Sequence, residues 1–183
     1  MRPDFIPKYT DIDLYEILRA EAAWENRTAP RAECFMGIDL TKTYSYGKGD
    51  FRRTYYPTEM HPKVRELMER INLEFGTKYN VCVLNYYAGQ HQHLGWHADD
   101  SKEQDPNHPI AVVAFGAERE IWTRINDAEG VVPPEDRYLL TVGSLFVMPP
   151  GYQETHQHRI PKHDRPCGGR ISLIFRKLDR SST

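Results

Sequence analysis

The sequence predicts a mainly β protein with flanking helices, an α+β sandwich or barrel. Two apolar runs at helical spacing come early. A series of short β-type runs follows, separated by Gly, Pro and Asp turns, with none of the strand-helix alternation that a parallel sheet requires. At 183 residues the chain has the length of one domain, at roughly 100 to 200 residues each, and is read as a single domain over 1–183. Hydrophobic residues make up 39% and charged residues 27%, which excludes collagen-like, coiled-coil and disordered classes.

The elements follow in order. From Thr10 to Trp24, Leu14, Ile17, Leu18 and Ala22 keep helical spacing, with Thr10 or Asp11 as the N-cap. A second helix is marked by Val64, Leu67, Met68, Ile71 and Phe75, with Pro62 suited to the first helical position and Gly76 to the C-terminal cap. Between them, Pro30 to Pro57 is rich in Gly, Thr and Tyr and reads as extended or hairpin structure. Strands are expected at Tyr79–Tyr87, His93–His97, Ile110–Phe115, Arg119–Ile125, Tyr138–Val142, Leu145–Met148 and Arg170–Leu178. The two helices should flank an antiparallel sheet, and the ends, Met1 to Lys8 and Asp179 to Thr183, should be loose.

Lys plus Arg number 24 against 26 Asp plus Glu, a net charge of −2, so any nucleic-acid-binding surface must be local rather than a uniform basic coat. No apolar run reaches the ~18 residues of a membrane span, and no secretory pattern opens the chain. Cys34, Cys82 and Cys167 are odd in number and widely spaced, which supplies neither a disulfide framework nor a metal knuckle. A soluble, intracellular protein (cytoplasmic, or nuclear in a eukaryote) is the expectation.

The chemistry lies in His97-Ala98-Asp99. Two residues separated by one position project from the same side of an extended chain, so an imidazole and a carboxylate converge. His156 or His158, far along the chain, would complete a two-histidine, one-carboxylate set, the facial arrangement that leaves open positions on iron(II). Zinc would call for a fourth ligand or an HExxH helix, and the sequence offers neither. Taken alone, an HxD is as readily a surface pair. The strand Arg170-Ile171-Ser172-Leu173-Ile174-Phe175-Arg176 changes that balance. Its two arginines differ by an even number of positions and face one side, opposite Ile171, Leu173 and Phe175, which suits a dicarboxylate beside a metal.

With these residues in hand, the sequence resembles the AlkB family of iron(II)- and 2-oxoglutarate-dependent dioxygenases, above all its nucleic-acid demethylase branch. The likeness runs from about Pro30 to Leu178. It is carried by Asn85-Tyr86-Tyr87, His93 to Asp100, Pro109 to Ala117, Gly143 to Met148, Gln157-His158-Arg159-Ile160-Pro161-Lys162 and the Arg170 to Arg176 strand. The resemblance implies a double-stranded β-helix (jelly-roll) core over about 79–178, an N-terminal helical layer and a nucleotide-recognition lid over about 30–57. It implies that His97, Asp99 and His158 bind Fe(II), with His156 a neighbour satisfied in its own loop. It also implies that Arg170 pairs with the distal carboxylate of 2-oxoglutarate and Arg176 with the chelating end, and that Asn85 and Tyr87 hydrogen-bond the cosubstrate while Tyr86 faces away.

The activity implied is oxidative demethylation of N-alkylated bases in DNA or RNA, consuming 2-oxoglutarate and O2 and releasing formaldehyde, succinate and carbon dioxide. The expected substrate-binding residues are Phe35, Tyr44 and Tyr46 as base-stacking rings, Lys48, Arg52, Arg53, Arg159 and Lys162 as phosphate contacts, and Asp100 and Ser101 near the base. Each has a plainer reading, in which the rings pack the sheet and the charges solubilise a loop. Two positions depart from the family's pattern. Ser101 stands where the demethylase branch commonly has an acid, leaving Asp100 or Glu103 to supply negative charge, and Ser172 stands where the terminal strand often has Asn. The rival readings are a 2-oxoglutarate oxygenase acting on a protein side chain, a free nucleotide or a small metabolite, and a silent jelly-roll binding module. A monomer without membrane contact is expected.

Overall fold

A computed structural model describes residues 13–28, 30–47, 52–99, 101–126 and 134–179. The expected N-caps Thr10 and Asp11, and the candidate substrate residues Lys48 and Asp100, lie outside the described residues. Helix α1 spans Asp13–Glu21, and strands β1 (Glu25–Thr28), β2 (Arg31–Gly37), β3 (Tyr44–Tyr46), β4 (Arg53–Tyr55) and β5 (Thr58–Glu59) lead to helix α2 (Pro62–Phe75). There follow β6 (Val81–Tyr87), β7 (Leu94–His97), β8 (Ile110–Gly116), β9 (Arg119–Ile125), β10 (Asp136–Leu140), β11 (Leu145–Met148), the one-turn helix α3 (Tyr152–Thr155), β12 (His156–Ile160) and β13 (Arg170–Arg176). Strand β12 and helix α3 were not anticipated. His156-Gln157-His158-Arg159-Ile160 contains only one strong β-former, so its strand character comes from its two partners, β9 and β7.

Helix α2 begins and ends where its punctuation predicts. Pro62 opens the first turn, the His61 side chain accepts the Lys63 N–H, and Gly76 closes the helix in the left-handed region at φ 64°. Its apolar stripe, Val64, Leu67, Met68 and Ile71, is buried.

Two sheets stack face to face. The larger runs β1-β2-β6-β13-β8-β11, with β5 alongside β2; the smaller runs β10-β9-β12-β7, and β3 and β4 form a separate hairpin. Strands in the middle of the larger sheet are buried on both faces, and the period of two sorts their side chains. From β6, β8 and β13, Cys82, Leu84, Ala111, Val113, Phe115, Ile171, Leu173 and Phe175 join α1 and α2 in one core. The alternate residues Val81, Val83, Tyr87, Ile110, Val112, Ala114 and Ile174 join the smaller sheet in a second core. The result is three layers, helices on sheet on sheet, with antiparallel pairing throughout apart from the short β2–β5 contact. Of segment 30–57, β2 is part of the larger sheet, and the hairpin β3–β4 is what stands over the space between the sheets.

Candidate active site

The space between the sheets is polar at one end because three strands turn unusual residues inward. In β13, Arg170, Ser172 and Arg176 share a face with Ile174. The register sets Arg170 opposite Tyr87 and Ser172 opposite Asn85. Strand β2 adds Arg31 and Glu33, which alternate with Cys34 and Met36 on its helix side. Arg31, Glu33, Asn85, Tyr87 and Ser172 line an inner cavity together with Tyr44, Tyr46, Tyr55, His97, Asp99, His158 and Arg176.

His97 is the last residue of β7, and its register partner on β12 is His158. Directly opposed residues of an antiparallel pair present side chains on the same face, and the two imidazole rings lie 4.1 Å apart, centroid to centroid. Asp99, two residues beyond His97, completes the group: its Oδ1 is 3.7 Å from His97 Nε2 and its Oδ2 is 3.7 Å from His158 Nε2. The three ligand atoms lie within 4.8 Å of one another. His97 Nδ1 is 2.8 Å from the Gly95 carbonyl, which holds the proton on Nδ1 and turns the Nε2 lone pair toward Asp99. The Asp99 backbone N–H donates to Gln153 Oε1 at 2.8 Å, so α3 steadies the ligand loop.

The electrostatics favour the charge states that a divalent cation requires. Burial lowers the His158 pKa to about 3, against the raising effect of Asp99. His97 is also shifted down, by burial first. Burial alone would raise Asp99, but Arg176, His158 and His97 outweigh it and bring the carboxyl down to about 2. Arg176 Nη2 lies 2.7 Å from Asp99 Oδ1, and its other terminal nitrogen donates to the Tyr44 hydroxyl. Asp99 and Tyr44 hold the Arg176 guanidinium charged despite its burial.

Deeper in, Arg170 is fully buried. Its Nε donates to Ser172 Oγ at 3.2 Å and its Nη1 to the Leu140 carbonyl at 3.5 Å, while Nη2 has no partner. No carboxylate of the described residues pairs with it, and burial brings its pKa down to about 10. The neighbouring Tyr87 hydroxyl is buried and unpartnered too. A buried guanidinium and a buried phenol left without acceptors are costly, and a carboxylate placed between them would satisfy both. Asn85 Oδ1 accepts Arg31 Nε at 3.0 Å, which points the amide's donor end the other way. The donor set therefore fits a metal with two imidazoles and one carboxylate, together with a dianionic chelator.

A family model described as the 2OG-Fe(II) oxygenase superfamily matches residues 3–176. The chain belongs to that superfamily. With it come Fe(II), 2-oxoglutarate and dioxygen, and His97, Asp99 and His158 form the metal-binding group. Within the superfamily this is an AlkB-family chain. It is 31% identical to the mouse (Mus musculus) protein named DNA oxidative demethylase ALKBH2, over 82% of this chain and 63% of that one. It is 28% identical to human (Homo sapiens) ALKBH2, over 88% and 62%, and 28% identical to human alpha-ketoglutarate-dependent dioxygenase alkB homolog 3, over 94% and 64%. The chain thus spans just under two thirds of the length of these relatives. A solved structure described as "The structure of OsALKBH1" shares the fold with a TM-score of 0.59 at 15% identity, covering 94% of this chain and 96% of that one.

The AlkB-family chain also has an outer groove of about 830 Å3, lined by Tyr46, His97, Asp99, Ser101, Gln104 and Arg124 among others. Tyr46 stands edge-on to His97 at 6.2 Å between ring centroids. Phe35 and Tyr44, the other rings expected to stack on a base, are placed differently: at 4% and 3% exposure they pack in the inner core, 5.8 Å from each other. Strand parity turns Phe35 inward, and Tyr44 is drawn down by Arg176, so neither ring offers a face to the groove. Arg52 is exposed and Arg53 half-buried in the hairpin. Arg159 is on the far face of the smaller sheet, stacked between Trp96 at 4.7 Å and Trp122 at 4.1 Å and paired with Glu135 at 3.4 Å. Lys162 is exposed beyond β12. His156 stacks on Tyr152 at 4.3 Å with its Nδ1 2.8 Å from Thr155 Oγ1, apart from the metal group.

Sequence reasoning overlooked Arg119, Gln153 and the pair Arg31–Glu33. Arg119 is 2% exposed and donates to the carbonyls of Gln92 and Pro161, beside the Tyr87 ring at 5.4 Å. A signal existed for Arg31 and Glu33, two charges on the inward parity of an otherwise apolar strand. None existed for Arg119, whose partners are backbone groups of distant loops.

Proposed function

We propose that the chain is an Fe(II)- and 2-oxoglutarate-dependent dioxygenase that demethylates N-alkylated bases in DNA or RNA. The observation that carries this reading is the outer groove, which opens onto His97 and Asp99 of the metal group and is bordered there by the Tyr46 ring, edge-on to His97 at 6.2 Å. A planar base extruded into that groove would lie against its Tyr46 border, with its alkyl group toward the metal. The relatives named DNA oxidative demethylase ALKBH2 support DNA within that substrate class.

When bound, iron(II) with 2-oxoglutarate and dioxygen oxidises an inert C–H bond, yielding succinate and carbon dioxide. The chain's own residues do the rest. His97, Asp99 and His158 hold the metal on one side and leave the groove side open. Arg170 and the Tyr87 hydroxyl take the distal carboxylate of 2-oxoglutarate, Ser172 keeps the Arg170 guanidinium in plane, and Arg176 and Asn85 take the chelating end. The β3–β4 hairpin, the part of segment 30–57 that stands over the cavity, covers it and excludes water. Arg52, Arg53 and Lys162 supply local phosphate contacts. Hydroxylation of an N-methyl carbon gives a hemiaminal that releases formaldehyde and the unmodified base. The unpaired thiols of Cys34, Cys82 and Cys167 fit a reducing, intracellular setting.

The test is formaldehyde release from methylated DNA and RNA oligonucleotides, with succinate formation measured in parallel. Demethylation absent in His97→Ala is the expected result. Succinate without any altered nucleic acid would transfer the activity to a protein side chain, a nucleotide or a metabolite, and metal binding without succinate would leave a silent binding module.

A further inference from the structure

Strand β2 carries a buried ion pair into the wall of the inner cavity. Arg31 and Glu33 are two residues apart and project from the same face of the strand. Glu33 is 4% exposed, and the Arg31 side chain 10%. Arg31 Nη2 donates to Glu33 Oε1, and the Tyr55 hydroxyl donates to Glu33 Oε2 at 3.3 Å, so both carboxylate oxygens are engaged. Glu33 is the register partner of Asn85 on β6, and Arg31 Nε donates to Asn85 Oδ1 at 3.0 Å. A guanidinium has donors and no acceptor, so it can meet only the oxygen end of the amide. The other end, Nδ2, makes no hydrogen bond among the described residues, and Asn85 lines the inner cavity. Replacing a buried ion pair by neutral side chains of similar volume is often neutral or stabilising. The pair is therefore explained by what it orients rather than by what it adds to stability.

Building on the assignment of Asn85 to the chelating end of 2-oxoglutarate, we infer that Arg31 and Glu33 are positioning residues for that cosubstrate. Arg31 holds the Asn85 amide with its N–H groups toward the keto-acid, and Glu33, anchored by Tyr55, holds Arg31. Without them the amide turns freely, and in one of its two orientations it presents a carbonyl oxygen to a carboxylate. Because the Glu33 charge balances that of Arg31, the pair supplies direction without net charge beside a dianion. Its share of the affinity is the ordering of one side chain before the ligand arrives.

The double substitution Arg31→Met/Glu33→Gln tests the inference, because it removes one positive and one negative charge together and leaves Tyr55 an acceptor. The readout is the Kd for 2-oxoglutarate, measured by isothermal titration calorimetry on Mn(II)-saturated protein without dioxygen, in the wild-type and in an Asn85→Ala background. Calorimetry reports affinity and stoichiometry separately, so a partly unfolded sample lowers the number of sites and not the affinity. The double substitution should raise Kd about fivefold, and Asn85→Ala alone should raise it about tenfold or more. In the Asn85→Ala background the double substitution should add nothing, because the group it orients is gone. Arg31→Met/Glu33→Met, apolar and of similar length, should give the same pattern and supplies the measurement if the first variant does not fold. A cavity merely loosened by these changes would lose affinity equally in both backgrounds. That result, or a wild-type Kd in the double variant, would overturn the inference and leave Asn85 in its role. An unchanged Kd in Asn85→Ala alone would instead remove Asn85 from the cosubstrate site, and the inference with it.

Discussion

Arg170 is the residue whose surroundings make the least sense without a ligand. It is fully buried, has one terminal nitrogen unpartnered, and faces no carboxylate among the described residues. Replacing such a group by an apolar side chain of similar length removes a desolvation cost, so Arg170→Met should melt no lower than wild type when free of 2-oxoglutarate. The same variant should lose the rise in Tm that 2-oxoglutarate produces in the wild type; differential scanning fluorimetry with and without the keto-acid reads both. His108 gives a pH dependence. Its Nε2 accepts the Lys78 N–H at 2.8 Å and its Nδ1 faces the Pro109 carbonyl at 3.1 Å, and burial pushes its pKa down. The unfolded chain therefore binds more protons at this site below about pH 6.5, and stability falls as pH drops through that value. His108→Gln keeps an acceptor for Lys78 and should flatten that part of the stability profile in urea melts at stepped pH. At this scale the metal group was legible, since His-x-Asp and the even spacing of Arg170 and Arg176 survive folding unchanged. Phe35 and Tyr44 were misjudged because an aromatic-rich segment does not announce which rings strand parity will turn inward.

Among the elements, helix α1 is seated through glycine. A Cβ on Gly169 would lie 2.1 Å from the Tyr15 hydroxyl, and one on Gly116, at φ 84°, would lie 2.4 Å from the Gly169 carbonyl. Gly169→Ala should cost about 1–3 kcal/mol by overpacking, with part of the loss recovered in Tyr15→Phe, as a double-mutant cycle by chemical denaturation would show. The smaller sheet is braced differently. Across its outer face, Arg124, Trp96, Arg159, Trp122 and Arg137 alternate, with guanidinium-to-ring distances of 4.3, 4.7, 4.1 and 3.8 Å. At about 0.5–1 kcal/mol per half-exposed contact, Trp122→Ala should destabilise by about 1–2 kcal/mol beyond its lost apolar area, whereas Leu73→Ala, on a side chain 88% exposed, should change little. Helix α2 was legible down to its caps because Pro62 and Gly76 act locally. Strand β12 was not, because its conformation is imposed by β7 and β9 on residues with little preference of their own.

For the whole molecule, the metal group joins one edge of the smaller sheet to the interior of the larger. Its residues come from β7, the loop after it and β12, and Arg176 reaches Asp99 from the end of β13. A divalent ion held there should stabilise the entire fold by RT ln(1 + [M]/Kd), about 2.7 kcal/mol at a hundredfold excess over Kd. Thermal melts with Mn(II) should show a rise in Tm that EDTA reverses and His158→Ala abolishes. The three-layer arrangement was only half visible in the sequence: the alternation along each strand was written there, but the pairing order β10-β9-β12-β7 depends on contacts between distant segments.

Because His97 and His158 are cross-strand partners, the ladder between β7 and β12 works as a ruler, and rulers are sensitive to offset but indifferent to how much string joins their ends. One extra residue inside β7 would swing His97 to the solvent side. Several extra residues in the connections between these strands would leave the coordination sphere as it is, so lineages of this fold are free to lengthen their loops but not to slip a single rung.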